Sequence, residues 1–314
     1  MKALIAFAVA LTAAHAALAA QPLLTPQELQ PLLQKPEVRV IDIRDPKSFA
    51  LGHVAGAVNA PYGKWRGPAT NPGELPDQDK LTQLVQSLGL TPDVHAVVVS
   101  SGADATDFGA MARVYWTLKS LGLTELSIVN GGMAAWQAAG QQTTAAATKI
   151  APSSFTPTFD TRWLATRNDV GKHLDLSNAA LVDSRPDAFY KGKTRPPAAK
   201  VSGTLPGAQS LDFNQWFVPG TSRFVDADKA REIAAQLKRK DGEDTVAFCN
   251  TGHWAATDWF GLSEVARLPN VRLYAGSMVD WTQSQETPRV VNQPTRAESL
   301  AYDAQQWWKR TFNK

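Results

Sequence analysis

Two kinds of apolar pattern alternate along the chain. Short unbroken runs, such as "HAVVV" from His95 and "DTVAF" from Asp244, have the length and composition of strands buried on both faces. After each run, apolar residues recur at three- and four-residue spacing. They are Phe108, Met111, Ala112, Tyr115 and Leu118 in the first case, and Ala255, Trp259, Leu262 and Ala266 in the second. Such spacing places one apolar stripe on a helix. Strands alternating with helices predict an α/β fold of parallel sheets flanked by helices.

The pattern occurs twice. "VRVIDIRDPKSFALGHVAGAVNAPY" (38–62) returns as "AALVDSRPDAFYKG" (179–192) and then "GTLPGAQSLDF" (203–213). Each copy has a strand ending in Asp-x-Arg, Asp42/Arg44 and Asp183/Arg185, followed by Gly-x-x-x-Gly-Ala at 52–57 and 203–208. Each closes on a short strand and a Gly-to-Trp turn, "LSIVNGGMAAW" and "VRLYAGSMVDW". The repetition predicts two tandem domains. Between them "QQTTAAATKIAPSSFTPTF" has linker composition. The expected division is a leader over 1–20, a first domain over 21–140, a linker over 141–158 and a second domain over 159–314. The last includes a C-terminal helix whose Trp307-Trp308 should pack on the body, because exposed paired tryptophans are costly.

Lys2, the apolar stretch Ala3 to Ala14 and the small residues Ala17 and Ala19 form a signal-peptide pattern. The apolar stretch is shorter than the roughly 20 residues a spanning helix needs. With no cysteine at the cleavage point, a lipid anchor is not expected. The expectation is therefore a periplasmic or secreted protein without a membrane anchor. The formal charge of +3 falls to about +2 without Lys2, too weak a balance to argue for nucleic acid. A monomer is expected.

Cys249 is the single cysteine, so no internal disulfide can form, and an unpaired thiol in an oxidising compartment calls for a reason. It stands where an apolar run ends and a short polar loop precedes a helix. Unpaired N–H groups and the positive end of the helix dipole meet there, a setting that binds anions and favours thiolate character. Gly252 would let the loop curl so that the amides of Asn250 to Trp254 face inward, and Thr251 adds a hydroxyl. The alternative is an inert buried cysteine acting as a small hydrophobe. His253 reads as a loop-shaping residue or weak cation rather than a metal ligand, since no second ligand stands at the right spacing; no metal is expected. Trp254 reads as a wall of the pocket or as core packing.

These features together resemble the rhodanese family of sulfurtransferases in its tandem-domain form. The resemblance rests on the Asp-x-Arg strand ends, "GHVAGAVN" and "GTLPGA", the Cys loop opening a helix, and "YAGSMVDW". It implies two tandem rhodanese-like domains, a catalytic second one and a non-catalytic first one, where Ser100 or Ser101 replaces the cysteine. It also implies a Cys249 persulfide, with no cofactor, passing sulfur from a small anionic donor (thiosulfate or 3-mercaptopyruvate type) to a thiol or cyanide acceptor. Ala55, Ala275, Met278 and Asp280 depart from the family's usual residues. Arg185 matches a family position that holds anionic donors, supported by Asp183, although Asp42 and Arg44 repeat the pair where no cysteine exists. The insertion "YKGKTRPPAAKVSG" is confined to the second copy. Its Lys193, Arg195 and Lys200 are either a solvated charge run or, Arg195 above all, an anion dock. A persulfide carrier without turnover is the competing function. A Cys-dependent phosphatase is a weaker one, because the sixth residue after Cys249 is Ala255 and no arginine stands in the loop to clamp a phosphoryl group.

Overall fold

The computed structural model describes residues 20–283 and 288–312. Nearly all of the leader expected over 1–20 lies outside the described residues. The first half carries β1 (Leu23–Leu24), β2 (Val38–Asp42), β3 (Val58–Asn59), β4 (His95–Val99) and β5 (Leu126–Val129) in one sheet, ordered β1-β5-β4-β2-β3. The second half carries β6 (Ala179–Asp183), β7 (Gln209–Ser210), β8 (Asp244–Phe248) and β9 (Val271–Leu273), ordered β7-β6-β8-β9. All pairings between these strands are parallel, with Asp42 opposite Val99 and Asp183 opposite Phe248. Each Asp-x-Arg motif therefore emerges beside the end of the central strand that feeds the next loop. That register brings Arg185 to the loop of Cys249, where it reaches Asn250. The α/β architecture is the one the periodicity predicts.

The Ala105–Ser120 helix is buried almost all the way round. One side covers its own sheet and the other packs on the second half, so no polar face is left to present. The seam is aromatic: Phe108 lies 4.8 Å from Phe224 and 5.5 Å from Phe260, and Tyr115 lies 5.1 Å from Phe260, ring centre to ring centre. The helix after the Cys loop differs from simple periodic expectation. Trp254–Trp259 is α-helical, but Phe260–Val265 widens into a π-helix. This widened stretch meets the first half, where the buried Glu264 accepts from Tyr115 Oη and Lys119 Nζ, both at 2.9 Å.

The Arg296–Phe312 segment is helical, as expected, but Trp307 and Trp308 are 56% and 58% exposed rather than packed on the body. Their rings contact Phe312 of the same helix, at 5.9 and 4.3 Å. Local spacing along one helix supplies those contacts without a partner surface.

Candidate active site

Cys249 follows β8 directly and is 1% exposed. Every carbonyl from Cys249 to His253 is engaged, the first four from outside the loop. Met278 N donates to Cys249 O and Val279 N to Asn250 O, each at 3.0 Å. Arg66 donates to Thr251 O at 3.0 Å and Arg113 to Gly252 O at 3.2 Å, while Ala256 N takes His253 O at 3.2 Å. In a trans peptide a carbonyl pulled one way turns the following N–H the other way. Two of the loop's N–H groups, those of Cys249 and Gly252, donate to Ser277 Oγ at 3.0 Å. Among the described residues, no acceptor faces those of Asn250, Thr251, His253, Trp254 and Ala255. The loop is thus a cluster of unpaired donors beside a sulfur, the arrangement that binds an anion.

Two residues fix this shape. Gly252 has φ +65°, and a Cβ there would lie 2.3 Å from Ala275 O and 2.5 Å from an Arg113 nitrogen, so only glycine fits. Ser277 also takes a left-handed φ of 55°, where the first half has Gly132 at 58°. A side chain in that conformation is strained. Its hydroxyl, 4.0 Å from Cys249 Sγ, accepts the two loop amides and donates to Tyr274 O. Sequence reasoning passed over Ser277. The available signal was the replacement of a repeat's glycine by serine in "YAGSM".

The Asp183–Arg185 pair is fully buried, with Arg185 Nε and Nη2 on the two carboxylate oxygens at 2.8 and 2.6 Å. Arg185 also donates to Gly203 O at 2.8 Å, and Thr204 Oγ1 donates to Asp183 at 2.6 Å. Asp42 and Arg44 repeat the arrangement in the first half, with Arg44 on Gly52 O at 2.8 Å. In each half the fork ties the strand end to the first glycine of Gly-x-x-x-Gly-Ala. Only Arg185 does more: its remaining nitrogen donates to Asn250 Oδ1 of the loop at 3.3 Å.

The first half shows what an anion cradle looks like when filled from within. Met133 N and Ala134 N hold the carbonyls of Ser100 and Ser101 as Met278 and Val279 hold those of Cys249 and Asn250, so Ser100 is the residue at the cysteine position. Asp107 then turns its carboxylate into the loop, accepting from Ser100 Oγ at 2.8 Å and from Gly102 N at 2.6 Å. In this loop a resident carboxylate takes the place of an incoming anion, and a hydroxyl stands where the second half has its thiol.

His253 joins the two halves. Its Nε2 is 2.7 Å from Thr106 O, a pure acceptor, so Nε2 carries the proton and Nδ1 accepts from Tyr62 Oη at 3.0 Å. Tyr62 Oη in turn accepts from Arg66 at 2.5 Å. Burial and the nearby Arg66 push the imidazole down to about 4. His253 is therefore neutral at physiological pH, which rules out the weak-cation role and leaves the loop-shaping one. Trp254 stacks on Phe213 at 5.0 Å and meets Phe189 edge-on at 5.7 Å, with its indole N–H buried and unpartnered. Arg195 donates to Ala199 O of its own loop. With Lys193, Lys200 and Tyr302 it lines a pocket of about 530 Å3 whose walls include none of residues 249–254. The structure thus brings Asp183 and Arg185 to the Cys loop but does not bring Arg195 into one pocket with it. Among the described residues, no cluster of three or more His, Cys, Asp or Glu side chains has a metal-binding arrangement.

The rhodanese-like domain model matches residues 25–139 and 166–284. The chain belongs to the rhodanese family. It is 30% identical over 284 residues to a probable 3-mercaptopyruvate sulfurtransferase of Pseudomonas aeruginosa, covering 85% of this chain and 96% of that one. A thiosulfate sulfurtransferase of the same organism is 28% identical over 84% of this chain and 94% of its own length. A sulfur carrier protein of Thermus thermophilus is 26% identical over 81% and 90%. The crystal structure of the Escherichia coli 3-mercaptopyruvate sulfotransferase superposes with a TM-score of 0.70 at 22% identity, over 82% of this chain and 99% of that one. This rhodanese is a sulfurtransferase with two tandem domains.

Proposed function

We propose that this rhodanese moves a sulfane sulfur through a persulfide on Cys249. The Cys249 thiolate attacks the outer sulfur of an anionic donor, of the thiosulfate or 3-mercaptopyruvate type. The bond from that sulfur to the rest of the donor breaks and its electron pair leaves with the donor remnant: sulfite from thiosulfate, or from 3-mercaptopyruvate the enolate of pyruvate, which takes up the proton carried by the transferred sulfur. The new Cys–S–S⁻ carries its charge on the outer sulfur, beside the five unpaired loop amides, and an acceptor thiolate or cyanide then takes that sulfur and restores Cys249. The cradle of outward-held carbonyls around the single thiol is the observation that carries this reading. The same-shaped loop of the first half is plugged by Asp107 and has no thiol. A turnover panel with thiosulfate and 3-mercaptopyruvate as donors and cyanide and dithiothreitol as acceptors tests it. Catalytic release of sulfite or pyruvate supports the enzyme. Stoichiometric loading without turnover supports the second reading, a persulfide carrier, which the similarity to a sulfur carrier protein favours. The leader pattern supports export, which fractionation of the cell would test; the processed protein is proposed to be a monomer, which light scattering would test.

A further inference from the structure

We propose that Arg66 and Arg113, on the first domain, are positioning residues of the Cys249 loop: they hold its Thr251 and Gly252 carbonyls outward and set fixed positive charge behind its amides. This rests on the persulfide reading of the site. Arg113 is fully buried, yet its hydrogen bonds serve the junction rather than its own domain's core. One nitrogen donates to Gly252 O at 3.2 Å, another to Gly73 O at 2.9 Å, and Nε has no partner. Its guanidinium lies against Trp116, 5.1 Å from the ring centre, and close to Gly252, where an added Cβ would be 2.5 Å from one of its nitrogens. Arg66 is fixed by Pro72 O at 2.6 Å and Tyr62 Oη at 2.5 Å, which leaves its last nitrogen on Thr251 O. Burying an unpaired guanidinium is expensive unless something nearby carries compensating charge. A thiolate or persulfide on Cys249 supplies it. Burial and Arg66 lower the Arg113 guanidinium to about 9, so it stays cationic at neutral pH.

The charged and titratable groups around the loop are Arg66, Arg113, Tyr62 and Asp104 from the first half, His253 in the loop, the buried Asp258 in the helix that follows, and the Asp183–Arg185 pair. Of these, only the two arginines of the first half bring positive charge not already matched by a carboxylate. The chain's own sequence could not signal this, because the contact exists only once the halves dock.

The test compares wild type with Arg113→Met, Arg113→Lys, Arg66→Met and, as a control on the same interface away from the loop, Tyr115→Phe. Single-turnover sulfur loading from thiosulfate and alkylation by iodoacetamide are followed against pH, with thermal melts alongside. Arg113→Met should load sulfur about tenfold or more slowly at pH 7, the scale of a lost charged hydrogen bond. Its alkylation midpoint should move to higher pH, with Arg66→Met smaller in both effects and Arg113→Lys partly rescued. Tyr115→Phe should lower the melting temperature and leave both pH profiles in place. A folded Arg113→Met protein with wild-type loading and an unmoved midpoint overturns the proposal, as does Tyr115→Phe reproducing its effects. If wild type loads no sulfur from any donor, the persulfide reading falls, and the alkylation profiles still decide the charge role.

Discussion

Gly252→Ala is the sharpest perturbation of the loop, because glycine is needed there for two separable reasons. The first is conformational: a side chain at φ +65° costs about 1–2 kcal/mol anywhere in a protein. The second is local. The new Cβ would sit 2.3 Å from Ala275 O, and ordinary contact begins at 3.4 Å, so loop or carbonyl must move by about 1.1 Å. Both the Gly252 amide on Ser277 and the Gly252 carbonyl on Arg113 would shift with it. Displacements of about 1 Å at a reacting centre cost on the order of 100-fold in rate, so kcat/KM for sulfur transfer should fall by about that factor. Gly56→Ala separates the two causes. Gly56 has φ +78° but open space where its Cβ would be, so it should carry the conformational penalty alone, a drop of a few degrees in Tm, with unchanged kinetics. Steady-state kinetics and melts on both variants make the comparison. Gly252→Ala with kcat/KM within twofold of wild type would refute the argument that the loop's backbone shape performs the chemistry.

Three further outcomes are expected. Arg44→Leu and Arg185→Leu should each lose about 3–5 kcal/mol of stability, the range for stranding a buried carboxylate, but only Arg185→Leu should also slow sulfur transfer, through Asn250; equal kinetic effects would remove that distinction. Arg195→Ala, whose side chain serves its own loop, should change kcat/KM by no more than about twofold for either donor, and a tenfold loss would return it to the donor site. His253 titrates near 4 in the folded chain against 6.5 free, so the unfolded chain binds more protons between those values and stability falls as pH drops from about 6.5 to 4. The loss is at most about 3.4 kcal/mol, lessened by partial exposure of the ring. The Tm of His253→Gln should depend less on pH across that window, and parallel curves would contradict the assignment.

The strands, both copies of the fold and the position of the single thiol at a strand end before a helix were legible in the sequence because each depends on local order. Unbroken apolar runs mark buried strands, and "FCNTGHW" carries its strand end, turn glycine and helix start within a few residues. The Asp–Arg pairs were legible as a repeat, and in both copies the arginine ties the strand end to the same glycine carbonyl. Arg66, Arg113 and Tyr62 were not legible, since nothing near them in sequence marks a site; they matter through a docking of halves more than 130 positions apart. Ser277 required knowledge of φ, which a sequence shows only as a glycine replaced between copies. Arg195, whose side chain turns to its own loop, and Trp307-Trp308, which stand exposed, differ from expectation for a common reason. Charge and apolarity show what a side chain would favour, but the contact it makes depends on where the backbone carries it.

Intact mass spectrometry of the purified chain after brief exposure to thiosulfate or 3-mercaptopyruvate tests the central claim most directly. The account predicts a gain of one sulfur atom by wild type, its loss on adding dithiothreitol or cyanide, and no gain by a folded Cys249→Ser protein. Sulfur transfer at wild-type rate by that variant would contradict it, as would turnover by wild type with no sulfur ever held on Cys249.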